Sequence, residues 1–130
     1  MTKLELKTHQ VWQDLTNVLE NLNPPALAIE HLELCNYKVC GYWDEQDKFH
    51  EEIVLPPTLS AELASSSLGM TDKNRWIRLE FILNFATIST YKKEQKIGEL
   101  GLIYDENMEF VDENWQIDIQ ALSTVSRPTI

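Results

Sequence analysis

Apolar residues near the N-terminus recur with the spacing of an α-helix. In residues 9–22 they lie three or four positions apart and share one helical face. This stripe consists of Val11, Trp12, Leu15, Val18, Leu19 and Leu22. Thr8 is the expected N-cap, and Asn23-Pro24-Pro25 should end the helix because proline cannot continue it. The stripe must be covered, so we expect this helix to lie across a sheet with Trp12 in the core.

Two later segments alternate with the two-residue period of strands. One face of residues 37–43 carries Tyr37, Val39 and Trp43, and one face of residues 49–55 carries Phe49, Glu51, Ile53 and Leu55. The polar residues 44–48 between them predict a turn, and the three segments together predict a hairpin.

The segments on either side of this hairpin are less regular. In residues 27–35 the alternation slips near Glu30 and His31, and both a bulge and a short helical turn fit the pattern. Residues 58–68 favour a short helix with Leu59 and Leu63 turned inward.

The clearest strand pattern covers residues 75–91. One face carries Ile77, Leu79, Phe81, Leu83 and Phe85, and the other mixes apolar and charged residues. Such a pattern is typical of an antiparallel sheet with one covered face, because buried parallel strands are apolar on both faces. Residues 92–96 predict a turn, after which residues 97–104 pair back.

The last third of the chain contains a short repeat. Asp-Glu-Asn occurs at residues 105–107 and again at 112–114, and we expect both triplets to form turns around a short strand. Residues 115–119 predict a final strand, and the polar tail at 120–130 should fray. The sequence as a whole predicts one α+β domain over residues 1–130. We expect an N-terminal helix packed on a curled, mainly antiparallel sheet of about five to seven strands.

The net charge of −10 narrows the classes of partner. It disfavours nucleic acid and anionic membranes, since both are bound through an excess of Lys and Arg. No apolar run approaches the roughly 18 residues that span a bilayer. The sequence begins without a secretory signal and contains two cysteines, which fits a reducing cytoplasm. The acidity is explained either by simple solubility or by a protein partner with a basic surface.

Candidate metal sites fail on spacing. An EF-hand loop beginning at Asp105 would need Gly where Phe110 stands and Glu where Gln116 stands. Cys35 and Cys40 form a single pair where a structural zinc site needs two, and an offset of five puts their thiols on opposite faces of a straight strand, so a zinc site is not predicted and we expect free, buried cysteines. We therefore predict no metal and no cofactor.

Candidate catalytic groups are equally weak. His50 lies beside Glu51 and Glu52, but only Glu52 shares its strand face, which favours a surface ion pair. Residues 65–67 are three serines without the glycines of a nucleophile elbow. We therefore predict no catalytic residue, and the pattern favours a protein that is not an enzyme.

Aromatic residues give the strongest functional indication. Tyr42, Trp43, Trp76 and Trp115 are hard to bury together in so small a domain, and exposed Trp and Tyr beside acidic residues are typical of a protein-binding surface. The alternative is that these rings pack against the helices. The candidate contact residues are Trp43, Trp76, Arg78, Asp105, Glu106, Asp112, Glu113 and Trp115. We expect a non-catalytic interaction module, such as an adaptor, regulator, assembly factor or inhibitor, for a basic partner. The alternative is a small ligand-binding or enzymatic domain with a pocket between helix and curved sheet.

Overall fold

The computed structural model describes residues 3–86 and 94–125. In chain order the elements of these residues are α1 (Val11–Leu22), α2 (Pro24–Leu34), β1 (Lys38–Trp43), β2 (Phe49–Val54), β3 (Ser60–Met70), β4 (Arg75–Ala86), β5 (Glu94–Asp105), β6 (Phe110–Ile117) and α3 (Ile119–Val125). β1 and β2 form a two-stranded antiparallel sheet, and the other strands form an antiparallel sheet in the order β3-β4-β5-β6. The α+β class is confirmed, although the strands divide between two sheets where one was expected.

The prolines start a second helix instead of only ending the first. α1 stops at Asn23, whose φ of 51° is left-handed, and Pro24 is the first residue of α2. Proline is suited to this position because the first N–H groups of a helix need no partner within it. The ambiguous residues 27–35 therefore lie mostly in a helix. The N-cap of α1 is Gln10 and not Thr8.

The core lies between α2, α3 and one face of the four-stranded sheet, which we call the inner face. This face carries Ile77, Leu79, Phe81 and Leu83 from β4 and Leu100, Leu102 and Tyr104 from β5. α2 and α3 each bury two apolar residues against it, respectively Ala28 with Leu32 and Ala121 with Leu122. These side chains occupy the space between helix and sheet where a pocket was the alternative expectation.

α1 does not lie across the sheet as predicted. It contains no buried residue, and Trp12 is 51% exposed, so its placement in the core was wrong. α1 packs mainly against α2, and Leu19 and Leu22 at its C-terminal end touch the edge of the core. Side chains are buried against the sheet by α2 and α3 instead, and the small Ala28 of α2 permits close packing.

The prediction of a helix over residues 58–68 is wrong, because Ser60–Met70 forms strand β3. Its register against β4 shifts between Leu63 and Ser65. This bulge places Ala61, Leu63, Ser66 and Leu68 on the inner face. An interval of three between Leu63 and Ser66 resembles helical spacing and hides the strand.

The strand predicted over residues 75–91 is confirmed for residues 75–86, which form β4. β4 and β5 pair as expected, with Leu79 opposite Leu102, although residues 94–96 belong to β5 and not to a turn. The remaining residues of both predicted segments, 87–93, lie outside the described residues. The tail was expected to fray, but its first part forms α3, which Asp118 caps by accepting a hydrogen bond from the Ala121 N–H at 3.0 Å. Residues 126–130 lie outside the described residues. None of the described helices is long and apolar enough to cross a membrane.

Candidate functional site

Asp44 closes the turn between β1 and β2. Its Oδ1 accepts hydrogen bonds from the backbone N–H groups of Gln46 and Lys48, both at 2.9 Å. The Asp44 N–H in turn donates to the Lys48 carbonyl at 3.0 Å. The polar turn predicted at residues 44–48 is thus confirmed, and one carboxylate oxygen is fixed by the backbone.

The other oxygen of Asp44 binds His50. His50 Nε2 lies 2.8 Å from Asp44 Oδ2, and both side chains are mostly buried. The hydrogen bond from His50, followed by that from the Lys48 backbone, holds the pKa of the Asp44 carboxyl below its usual value. Because Asp44 is a carboxylate and can only accept, Nε2 carries the proton. His50 was expected to pair with Glu52, but Glu52 instead accepts from Lys38 at 3.3 Å.

The Asp44–His50 pair forms one wall of a surface cleft of about 580 Å³. The opposite wall consists of the start of β5, the end of β6 and the first residues of α3, including Lys96, Gln116 and Asp118. Among the described residues that line the cleft, none is Ser, Thr or Cys. The described lining therefore offers carboxylates, lysine amines and one imidazole, which suit acid–base chemistry or the binding of a polar ligand.

Tyr42 attaches the hairpin to the four-stranded sheet beside this cleft. Its hydroxyl accepts a hydrogen bond from the Ile117 N–H at 2.8 Å and lies 3.5 Å from the Ile117 carbonyl oxygen. Tyr42 is opposite His50 in the hairpin register, so the same side of the hairpin carries the anchor and the histidine.

Trp43 and Phe49 form an exposed aromatic pair on the other side of the hairpin. They are direct cross-strand partners, their ring centroids are 5.0 Å apart, and they are 62% and 48% exposed. We call these two residues the aromatic pair. Phe49 was not among the predicted contact residues, although the hairpin register could have identified it.

Trp76 and Arg78 lie on the outer face of the four-stranded sheet. The indole ring of Trp76 covers Gly69 of β3, where a Cβ atom would overlap the ring. Arg78 Nε donates to Glu80, and the Glu80 carboxylate lies against Gly101 of β5. Both candidates are therefore half-buried by their own sheet. Asp112 lies on the same outer face, opposite Ile103.

The two Asp-Glu-Asn triplets differ in structure. Asp105 Oδ1 accepts from the backbone N–H groups of Asn107 at 2.8 Å and Glu109 at 3.0 Å, so the first triplet is a turn with Glu106 exposed. The second triplet lies within β6, and its predicted turn is wrong. Backbone pairing with β5 prevails there over the turn preference of the residues.

Glu113 and Trp115 point to the inner side of β6, where they meet α2. His31 Nε2 is 2.5 Å from Glu113 Oε2, and the His31 ring centroid is 6.2 Å from that of Trp115. The eight candidates thus occupy three places: the hairpin, the outer face with its adjoining turn, and the junction of α2 with β6. They do not form one continuous surface.

The cysteines are free and differ in exposure. Cys35 is half-buried at the end of α2, and Cys40 on β1 is exposed, where burial was expected. In residues 3–86 and 94–125 no group of three or more His, Cys, Asp or Glu side chains is arranged to hold a metal ion.

Comparison with known proteins adds no assignment. The chain matches no protein-family model, no curated protein and no solved structure. Its functional interpretation therefore depends on the geometry described above.

Proposed function

We propose that this chain is a non-catalytic protein-interaction module that presents an acidic and aromatic surface to a partner with a basic surface. The observation that carries this proposal is the aromatic pair, which leaves two large rings in solvent on a hairpin. Exposed aromatic side chains with few rotatable bonds are the residues that most often anchor protein interfaces. An adaptor, regulator, assembly factor or inhibitor would use such a surface.

The hairpin holds these rings in place before a partner binds. The Asp44 turn closes one end of the hairpin, and Tyr42 attaches its opposite side to Ile117. Trp43 and Phe49 also pack on each other across the strands. A rigid anchor loses little conformational entropy on binding, which favours affinity.

Charge around the aromatic pair supports a basic partner. Residues 38–54 contain five acidic residues and two lysines, so this hairpin is itself acidic. Lys38 already pairs with Glu52, whereas Glu51 is exposed on the same strand face as Phe49. An acidic rim accelerates encounter with Lys- and Arg-rich surfaces and disfavours nucleic acid. On this proposal the protein acts in the cytoplasm, where its free thiols stay reduced.

The test compares proteins that co-purify with the purified chain from its source cells at low and high salt. We expect the double variant Trp43→Ala/Phe49→Ala not to bind the partner. For the unchanged chain we expect high salt to weaken binding of the partner. Trp12→Ala is the matched control, because it removes an exposed Trp from α1 and leaves the hairpin intact. A partner that remains bound to the double variant, or none at low salt, would contradict the proposal.

The Asp44–His50 pair favours a second candidate function, small-ligand binding in the cleft. With Nε2 bound to Asp44, the other ring nitrogen of His50, Nδ1, remains to form a hydrogen bond with a polar ligand. A thermal-shift screen of small polar compounds tests this candidate. A hit whose stabilising effect disappears in His50→Ala and persists in Trp43→Ala/Phe49→Ala would favour it over the interaction module.

A further inference from the structure

The two edges of the four-stranded sheet differ in their protection against further strand pairing. β3 and β6 are the edge strands, and each presents a row of backbone groups to the outside. On β6 the Ile117 N–H is bound by Tyr42, and Asp112 and Glu113 add negative charge. These features discourage pairing with another strand.

The second half of β3 has none of these protections. Its residues 65–70 pair continuously with β4 and contain no charged residue and no proline. In the described part of the chain, their backbone forms ladder bonds with β4 and none with a third element. In an antiparallel edge strand every second residue points its N–H and C=O outward, so this half offers unpaired groups.

Exposed apolar side chains accompany this open edge. Leu68 and Met70 are 58% and 71% exposed, although both have the register of the inner face. α2 packs against β3, but its cover does not reach these two residues. A further strand beside β3 would extend the inner face and bury them.

We propose that β3 is a self-association edge, at which the β3 strands of two copies of this chain pair antiparallel around a two-fold axis. The lack of charge on this edge favours a second copy of the chain as its partner. The net charge of −10 on each copy opposes association, but residues 65–70 contain no charged residue, so pairing two copies through this segment places no like charges directly opposite one another. A basic partner is drawn instead to the acidic hairpin. Two-fold symmetry makes the pairing of identical edge strands antiparallel and joins both sheets into one.

The test measures molecular mass by sedimentation equilibrium from low micromolar to millimolar concentration. We expect a monomer–dimer equilibrium in which Ser67→Glu raises the dimer dissociation constant several-fold, because it places like charges across the new pairing. Within its own sheet a Glu at position 67 lies opposite Arg78, so the fold is retained. Asn114→Glu is the matched control, since it adds the same charge to an exposed position on the same face of the other edge strand.

Hydrogen–deuterium exchange supplies a readout that needs no variant. Amides in residues 65–70 should become more protected as the unchanged chain is concentrated, while those of β6 should not. A chain that stays monomeric, or a dimer that Ser67→Glu and Asn114→Glu affect equally, would overturn the proposal. The double variant Trp43→Ala/Phe49→Ala should dimerise like the unchanged chain. A failure of the dimer proposal is therefore distinguishable from a failure of the proposed partner binding.

Discussion

The hydroxyl of Tyr42 accepts a hydrogen bond from the Ile117 N–H at 2.8 Å and so connects the two sheets. Ile117 is buried, and among the described residues its amide has no hydrogen-bond acceptor to replace that hydroxyl. We expect Tyr42→Phe to lower the free energy of unfolding by about 1–2 kcal/mol, measured by urea denaturation. Tyr37→Phe is the control, since it removes a phenolic hydroxyl from the base of the same hairpin. An equal loss in both variants would contradict a special role for the Tyr42 bond.

Acid should weaken the turn that Asp44 closes. The pKa of this carboxyl is lower in the folded protein than its ordinary value of 3.8, chiefly through the hydrogen bond from His50. Its stabilising contribution is therefore complete above that value and is lost as the pH falls through the lowered folded-state pKa. We expect the stability difference between the unchanged chain and Asp44→Asn to narrow as the pH falls below 3.8. Asp47→Asn in the same turn is the control; if its difference narrows equally, Asp44 is not the cause.

Gly41 should resist substitution for conformational reasons alone. Its φ of 68° is left-handed, and a Cβ atom added there would meet nothing within 4 Å. We expect Gly41→Ala to cost about 1–2 kcal/mol of stability, the penalty of this backbone region for an L-residue. Gly41→Asn should cost less, because Asn tolerates the left-handed region better than Ala. Equal melting temperatures for the two variants would argue against this explanation.

Glu113 should contribute a small, salt-dependent amount to stability. Its contact with His31 joins α2 to β6 and is partly exposed; where the imidazole is protonated the contact is an ion pair, and such pairs contribute at most about 1 kcal/mol. We expect Glu113→Gln to destabilise the chain more at low salt than at high salt in urea titrations. Asp112→Asn removes the same charge from the outer face and should have little effect. The reverse order of the two variants would show that α2 does not depend on this pair.

The sequence could predict elements whose side chains follow one uninterrupted period. β4 is the best example, because its inner-face residues alternate without a break and are buried: Ile77, Leu79, Phe81 and Leu83. The bulge after Leu63 broke that period in β3, and Pro24 concealed the start of α2. In each case tertiary pairing or local geometry prevailed over the pattern.

The candidate site was less accessible to prediction because it depends on register. Trp43 was identified from its residue type, but its partner Phe49 follows only from the alignment of β1 with β2. The Asp44–His50 bond likewise spans a turn whose geometry brings residues six positions apart together. Residue type alone grouped Trp76 with Trp115, which lie on opposite faces of the sheet.

Asn23 is the only residue between α1 and α2, so one left-handed φ/ψ pair sets the direction in which α1 leaves the body. Leu19 and Leu22 pack against the core near one end of α1, while Trp12 near the other end is about half exposed and donates its indole N–H to the Leu6 carbonyl. With twelve residues at a rise of 1.5 Å each, α1 is about 18 Å long. A rotation of about 10° at this joint would move the far end of α1, and the indole of Trp12 with it, by about 3 Å. A small change in the backbone angles of residue 23 would therefore alter the direction of α1 relative to α2.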